Sequence, residues 1–459
     1  MAEIAKEKLE APACWYNPWW IEDCIEVRNT IERILMPVVE KHANDNIRSK
    51  RTGFYTSYGE KVLYTLVSIV ASFTESIKKT KYGIIKIHRN DHIYSIRYYT
   101  PQEITRQTVV LVLDALLNAG YINQKVGSKY VQYKTSYPTK CEPTRKMKQF
   151  LNNHDVSLNK FCVSMDEPVI LLRDNGCGLK EFKPSMETQQ TERILREFRM
   201  MAKNHTFGVA NPTRDEQGRV SKADFKNVRM KRVFKGNLTQ TGRLYSGFWT
   251  NWPEVLRHKI TINNEPVIEK DYANLHINMV YVLEGIEPPN GDLYKLKKID
   301  GVPTYRPSIK LWRTLVKRST NAMLNMEQTA KREGLYGVLY NAVNGEPLKN
   351  GGRSTPAMSL PKGFILTKRS VLALRDAILD KHPAIAHRFM CGKDQGSKLQ
   401  YLDSQMALRL IKQFQSIGIL CLSEHDSFIV PASYDKELVA KMQEAFCVVM
   451  NTDYRIDVE

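Results

Sequence analysis

Val267-Ile-Glu-Lys-Asp-Tyr-Ala-Asn-Leu-His276 and Ile417-Gly-Ile-Leu-Cys-Leu-Ser-Glu-His-Asp-Ser-Phe-Ile-Val430 are the two stretches on which the fold turns. The first predicts a strand that ends on Asp271, where helical spacing begins. The second predicts a strand running into Glu424-His425-Asp426-Ser427 and another leaving it, with polar groups at the tip of a buried hairpin. Two carboxylates on separate buried strands can share two divalent cations about 3.5–4 Å apart, which clamp the attacking and leaving oxygens of a phosphoryl transfer. Mg²⁺ suits such a site, with Mn²⁺ as a substitute, because hard ions take carboxylate, water and phosphate oxygens. Between the stretches, residues 309–332 contain no Gly or Pro and predict one long helix. On it Arg313, Lys317, Asn321 and Asn325 recur every fourth residue along one slowly drifting face. Arg and Lys one turn apart can hold a triphosphate and offset charge growing on a leaving pyrophosphate. Upstream, Thr239–Tyr245 reads as a polar turn that carries Arg243 beside a basic surface.

The whole chain agrees with such a partner. It has 459 residues, with 68 Lys+Arg against 49 Asp+Glu, a net charge of +19. That excess points to a polyanion, nucleic acid first and an anionic membrane surface second. The length suggests about three folding units. Hydrophobic residues make up 42% and charged ones 25%, a globular balance that argues against wholesale disorder. The longest nearly apolar run, Val62–Phe73, is too short to span a bilayer, and the opening MAEIAKEKLEAP lacks a secretory h-region. The expectation is a cytoplasmic protein. The eight cysteines include no C-x-x-C, so reduced thiols are expected, with a zinc site from the distant Cys141, Cys162 and Cys177 as the lesser reading.

Four segments are expected: a helical one at 1–55, a small domain at 56–137, a linker and thumb-like basic helical region at 138–235, and a final domain at 236–459. In the second, a helix at 58–76 precedes strand-like stretches at 82–88 and 93–99. A helix at 101–119 follows, closed by Gly120, and then a hairpin at 121–134 turning on Gly127-Ser128. Helix then hairpin, with Lys125, Lys129 and Lys134 on the hairpin, resembles a winged-helix domain. That resemblance puts Thr105, Arg106, Gln107 and Thr108 at the head of a groove-reading helix and makes Arg106 and Lys129 DNA contacts. The runs at 188–204 and Lys226-Asn-Val-Arg-Met-Lys-Arg232 read as a clamp on a nucleic-acid backbone, or as a solvated basic face. No Walker-type loop occurs, and Asn175-Gly-Cys-Gly178 is a weak phosphate-loop candidate.

Taken together and in this order, the four chemical segments resemble the family-A DNA polymerases and the single-subunit phage-type RNA polymerases, over roughly residues 235–459. Thr241–Leu244 is similar to TGRLSS, whose arginine lies near primer and template. Asp271-Tyr-Ala-Asn-Leu-His276 resembles motif A, Arg313-x-x-x-Lys317-Arg-Ser319 the RxxxKRS form of motif B, and His425-Asp426-Ser427 motif C. The resemblance implies an α+β right hand of palm, fingers and thumb behind the winged-helix-like domain. It implies Asp271, Asp426 and the Tyr272 carbonyl as metal ligands. Lys317 becomes a catalytic group on the triphosphate, and Arg313, Asn321, Asn325, His276 and Tyr272 line the nucleotide site. Arg243 and His425 touch primer and template. Asn321 and Asn325-Met326 stand where the family has aromatic residues, and His276 replaces the sugar-sensing glutamate, so both dNTPs and rNTPs stay open. A second alignment of motif B would use Lys331 and Tyr340, at the cost of Glu327 in the arginine position.

The resulting expectation is a two-metal, template-directed nucleotidyltransferase of phage or mobile-element replication. It would work in a bacterial host cytoplasm on DNA template and primer, with a primase-like variant and with a helicase or accessory protein as partner. No D-x-E of the exonuclease type opens the chain. Singly, Asp271 also reads as a strand-end cap, His425-Asp426 as a polar tip, and Arg313/Lys317 as an exposed face. The rival reading is a non-catalytic winged-helix DNA-binding replication initiator or regulator.

Overall fold

A computed structural model describes residues 4, 8, 11–46, 58–89, 94, 96, 98–127, 129–130, 135–136, 138–174, 178–210, 225–296, 309–326, 334–347, 353–361 and 364–459. The chain divides into two compact units, Met1–Pro168 and Val169–Glu459. The division falls inside the segment 138–235, whose first part packs with the amino-terminal residues and whose second part packs with the carboxy-terminal ones. Each unit is a mixture of helices and small sheets around its own hydrophobic core.

In the first unit, β1 (Cys14–Trp15), β2 (Trp20–Glu22) and α1 (Ile25–Asn46) precede α2 (Tyr58–Lys79), a helix buried from Val62 to Phe73. Its buried hydroxyls are spent locally, Ser68 and Ser72 on the carbonyls of Thr65 and Ser68 at 2.8 Å each. β3 (Ile85–Ile87) leads to α3 (Arg106–Asn118). The second strand expected at 93–99 is not borne out at its described residues: Tyr94 is helical, and Tyr98 and Tyr99 form a turn in which Tyr99 N–H donates to the Ile96 carbonyl at 3.0 Å. α3 starts at Arg106, five residues after the expected Pro101. Thr105 caps it in a capping box with Thr108, and that side chain is buried and does not face a groove.

Next come β4 (Ile122–Lys125), β5 (Lys129–Tyr130), β6 (Thr135–Ser136), β7 (Thr139–Pro143), α4 (Arg145–Asn153) and β8 (Phe161–Val163). The expected turn at Gly127-Ser128 is overturned. β4 pairs with β7, with Lys125 opposite Lys140, and β5 pairs with β6, with Lys129 opposite Ser136. Three residues separate the paired positions on each arm, so both pairings share one antiparallel register. The main sheet has the order β1-β3-β7-β4.

The second unit opens with β9 (Ile170–Arg173), α5 (Met186–Lys203), β10 (Phe207–Val209), β11 (Lys231–Lys235), β12 (Thr241–Tyr245), the short α6 (Glu254–Arg257), β13 (Ile260–Ile262) and β14 (Glu265–Asp271). α7 (Leu275–Leu283), α8 (Ile309–Leu324), α9 (Gly334–Asn344), α10 (Lys368–Lys381) and α11 (Lys393–Gln415) follow. β15 (Leu422–Glu424), β16 (Ser427–Pro431) and α12 (Asp435–Met450) complete it. Its five-stranded sheet, β10-β13-β14-β16-β15, is antiparallel throughout. The expected basic clamp is corrected. Val228, Met230, Arg232 and Phe234 alternate inward, so Arg232 is buried, as is Arg199 on α5. Among the described residues no helix is long and apolar enough to cross a membrane, and no cluster of three metal-ligating His, Cys, Asp or Glu side chains forms. The described cysteines are free thiols; Cys177 lies outside the described residues.

Candidate active site

β14 and β16 are neighbours in the centre of the second unit's sheet, and Asp271, the last residue of β14, stands opposite Ser427, the first of β16. Glu424 pairs with Ser427 across a two-residue loop, His425-Asp426. His425 takes φ 57°, the left-handed conformation that a tight hairpin asks of its first loop residue. Asp426 therefore sits one residue from the position facing Asp271, and the Tyr272 N–H donates to the Asp426 carbonyl at 3.3 Å. In an extended strand a residue's N–H and C=O face the same neighbour, so the Tyr272 carbonyl also faces the Asp426 side. The Tyr272 ring points inward, its hydroxyl donating to the Met442 carbonyl at 2.6 Å.

Asp271 is the most perturbed acid. Burial, and then the adjoining Asp426 carboxylate, push it up to about 8 against the pull of Lys317. Its Oδ1 is buried with no hydrogen-bond donor. A buried carboxylate oxygen beside a second carboxylate, lacking a donor, has the chemistry of a hard-cation ligand. Asp426, half-buried beside it, would supply a second carboxylate to such an ion.

After Asp271 the chain bends through Asn274, at φ 55°, into α7 and delivers His276. Arg243 on β12 donates through Nη2 to His276 Nε2 at 3.2 Å, and through Nε to Asp403 Oδ2 at 2.8 Å. Arginine only donates, so His276 accepts on Nε2 and carries its proton on Nδ1. Burial and the Arg243 charge lower His276 to about 4, which keeps the ring neutral at pH 7. Asp403, on α11, is buried and pushed up to about 7 by that burial despite Arg243. Glu424 is also raised to about 7 by burial, despite Arg257, and its Oε2 has no donor. His425 packs edge-on against Tyr245 at 5.6 Å and is lowered by burial and then by Arg243.

Behind Arg243 lies a bulge. β11 and β12 pair with a register shift between Val233 and Phe234 that leaves Gly242 unopposed at φ 72°. A Cβ there would come within 2.7 Å of the Phe234 ring. The Gly242 carbonyl takes its hydrogen bond from Arg232 Nε at 3.0 Å.

On α8, Lys317 is exposed, and its charge lowers both Asp271 and His276. Arg313 lies one turn earlier, held by Asp292 Oδ2 at 2.8 Å and over the Tyr294 ring at 5.6 Å. Asn321 Oδ1 is buried without a partner. Asn325 is turned away from the expected role, its Nδ2 donating to the Asn321 carbonyl at 2.7 Å and its side chain filling the space over Gly396. The helix expected over 309–332 ends at Leu324, with Asn325 and Met326 in a turn and bend; Glu327 and Lys331 of the second alignment lie outside the described residues.

The structure thus gathers Asp271, Asp426, Tyr272 and His425 where β14 ends and β16 begins, with His276 and Arg243 bonded to each other and Lys317 in electrostatic reach. Sequence reasoning missed Asp403, Asp292 and Glu424. Asp403 had a signal, being a lone acid in the apolar stripe Leu399, Met406, Ala407, Leu410; Asp292, in a loop, had none. Arg106 and Lys129 belong to the first unit, where Arg106 Nε donates to the Arg89 carbonyl at 2.8 Å and Lys129 stands on β5.

No protein-family model matches the chain, and no curated protein matches it. Among solved structures, the POL domain of Pol1 from M. smegmatis, in complex with DNA primer-template and dNTP, is similar over 95% of this chain and 68% of that one. The identity is 10% and the TM-score 0.30, a likeness that by itself fixes neither fold nor function.

Proposed function

We propose that the second unit is a template-directed nucleotidyltransferase that extends a nucleic-acid primer with nucleoside triphosphates. The observation that carries this is the placement of Asp271 at the end of β14 and Asp426 in the loop that enters its neighbour β16, with a buried Asp271 oxygen lacking a donor and the Lys317 charge acting on it. Asp271, Asp426 and the Tyr272 carbonyl would hold Mg²⁺, which when bound supplies positive charge at the reacting phosphoryl oxygens. Arg313 and Lys317 bind the triphosphate, and Lys317 Nζ hands a proton to the leaving pyrophosphate. His276, neutral and pinned by Arg243, offers an Nδ1–H within the field of Asp426, and there an incoming sugar would be read. The phage-replication setting and the primase variant belong to this reading.

Primer extension with Mg²⁺ and either dNTPs or rNTPs tests it. Asp271→Ala and Asp426→Ala should each lower incorporation about 10²- to 10⁴-fold, the equivalent of several kcal/mol of lost charge stabilisation. Incorporation by both variants at the wild-type rate, or none by the wild type on any primer, ends the proposal.

A specific observation also favours duplex binding by the first unit. The order α2, β3, α3, β4, β7, with β7 between β3 and β4, is what the winged-helix reading requires. Arg106 and Gln107 are exposed on α3, and the β4–β7 ribbon is the wing. Deleting residues 1–137 should then flatten the salt slope of duplex binding.

A further inference from the structure

The main sheet of the first unit has one face packed on helices, and on the other Lys125 is exposed, Lys86 and Lys140 are half-buried and Glu142 is buried. Ile85, Ile87, Cys141 and Ile122 point into the core, so the residues between them point out. On that outer face one cross-strand row is continuous in register over all four strands: Trp15 beside Lys86, Lys86 opposite Lys140, Lys140 opposite Lys125. Neighbouring strands lie about 4.8 Å apart, so the three lysines fall within about 10 Å. Trp15 ends the row and is 53% exposed. Its ring stacks on His88, centroids 5.2 Å apart at 22°, and Lys86 Nζ lies 5.8 Å from the ring centroid. Burial lowers His88, so this platform is a neutral ring pair with a lysine cation at its side. The acid on the adjoining row, Glu142, is already matched by Lys8 at 2.7 Å.

We propose that this row is a binding surface for single-stranded nucleic acid, with one base stacked on Trp15 and the backbone crossing Lys86, Lys140 and Lys125. An aromatic ring next to a line of cations is the combination that holds unpaired strands, because every free base has a face to stack and every linkage a charge. Duplex DNA keeps its bases stacked on one another and offers Trp15 only an edge. The row belongs to the first unit, and its test does not depend on Asp271 and Asp426.

The full chain is titrated with fluorescein-labelled (dT)₁₅ by anisotropy at several salt concentrations, and a (dT)₁₅ carrying 5-iodouracil is photo-crosslinked and the modified peptide mapped. Trp15→Ala should weaken binding about 5- to 150-fold and Trp15→Phe should restore most of it. Lys86→Ala with Lys140→Ala should flatten the log–log salt slope by about 1.4. The crosslinked peptide should contain Trp15. The proposal is overturned by crosslinks confined to residues 169–459, by Trp15→Ala within twofold of wild type, or by an unchanged salt slope. It is equally overturned if Trp15→Phe falls as far as Trp15→Ala, which makes Trp15 a packing residue. Loss of binding to phosphatidylserine vesicles in the lysine variants, with (dT)₁₅ binding intact, would reassign the face to a membrane. Primer extension by these variants reports separately on the second unit.

Discussion

Replacing Arg232 tests whether the bulge that carries Arg243 is held from behind. The guanidinium is buried and spreads its donors over three elements: Nε to the Gly242 carbonyl at 3.0 Å, Nη1 to Thr191 Oγ1 at 3.1 Å and Glu187 Oε1 at 3.3 Å, and Nη2 to Ser404 Oγ at 2.9 Å. It also lies over Phe234 and Tyr401, at 4.7 and 5.3 Å from the ring centroids. Glu187 keeps Tyr401 and Gln405 as donors at 2.7 Å each, and Ser404 still donates to the Tyr401 carbonyl. The groups left without their donor in Arg232→Ala are therefore the Gly242 carbonyl, at about 1–3 kcal/mol, and the buried Thr191 hydroxyl. The lost ring contacts add about 0.5–2 kcal/mol and the cavity adds to both, for about 3–5 kcal/mol in all. For a unit of about 290 residues, unfolding entropy is about 0.6 kcal/mol per degree, so calorimetry on the full chain should show one transition lowered by about 5–8 °C. Arg232→Met, which refills the volume and strands the same carbonyl, should cost about half as much. A shift below 1 °C in the alanine variant would refute the reasoning.

Asp403 has its folded value raised, from an ordinary 3.8 to about 7. A raised acid holds more protons folded than unfolded, so wild type should lose stability relative to Asp403→Asn as pH rises from about 4 to 7, with no further divergence above; urea midpoints that track in parallel across that window would contradict it. Gly396→Ala gains helix propensity, worth about 1 kcal/mol, but drives Asn325 off its Asn321 hydrogen bond, so it should be near neutral alone and stabilising by about 1 kcal/mol in an Asn325→Ala background. Equal effects in both backgrounds would show that the two residues do not meet. The Arg313–Asp292 pair is over 30% exposed on both sides and worth about 0.2–1 kcal/mol, so Asp292→Asn should lower the nucleotide KM at most about fivefold with kcat unchanged. A KM raised tenfold would instead make Asp292 the residue that aims Arg313.

The legible parts of this chain were those whose signal is local. The switch from strand to helical spacing at Asp271 and the polar loop between two apolar strands at His425-Asp426 both stand where periodicity put them. Their meeting across β14 and β16 was inferable because buried strands must pair. Arg243's partner was not, since Asp403 lies 160 residues away on the helix α11. Arg232 misled because its neighbours Lys226, Arg229 and Lys231 make the run look like a solvated face, while the alternation of Val228, Met230 and Phe234 places that one arginine inward. Asn321 and Asn325 share a face by spacing, yet a side-chain amide can bond its own helix, and Asn325 does. The hairpin failed for a similar reason: Gly127-Ser128 is the best local turn, but pairing with β7 and β6 carries the strand past it.

The shared register of that ribbon restricts how its length can change. With three residues between the paired stretches on each arm, removing one residue from a single arm would rotate everything beyond it onto the opposite face. The arms can be shortened or extended only in matched steps, one residue from each side of the tip. The ribbon is therefore a component whose reach can be tuned like the tine of a fork while its base, and the row of lysines crossing that base, keeps its geometry.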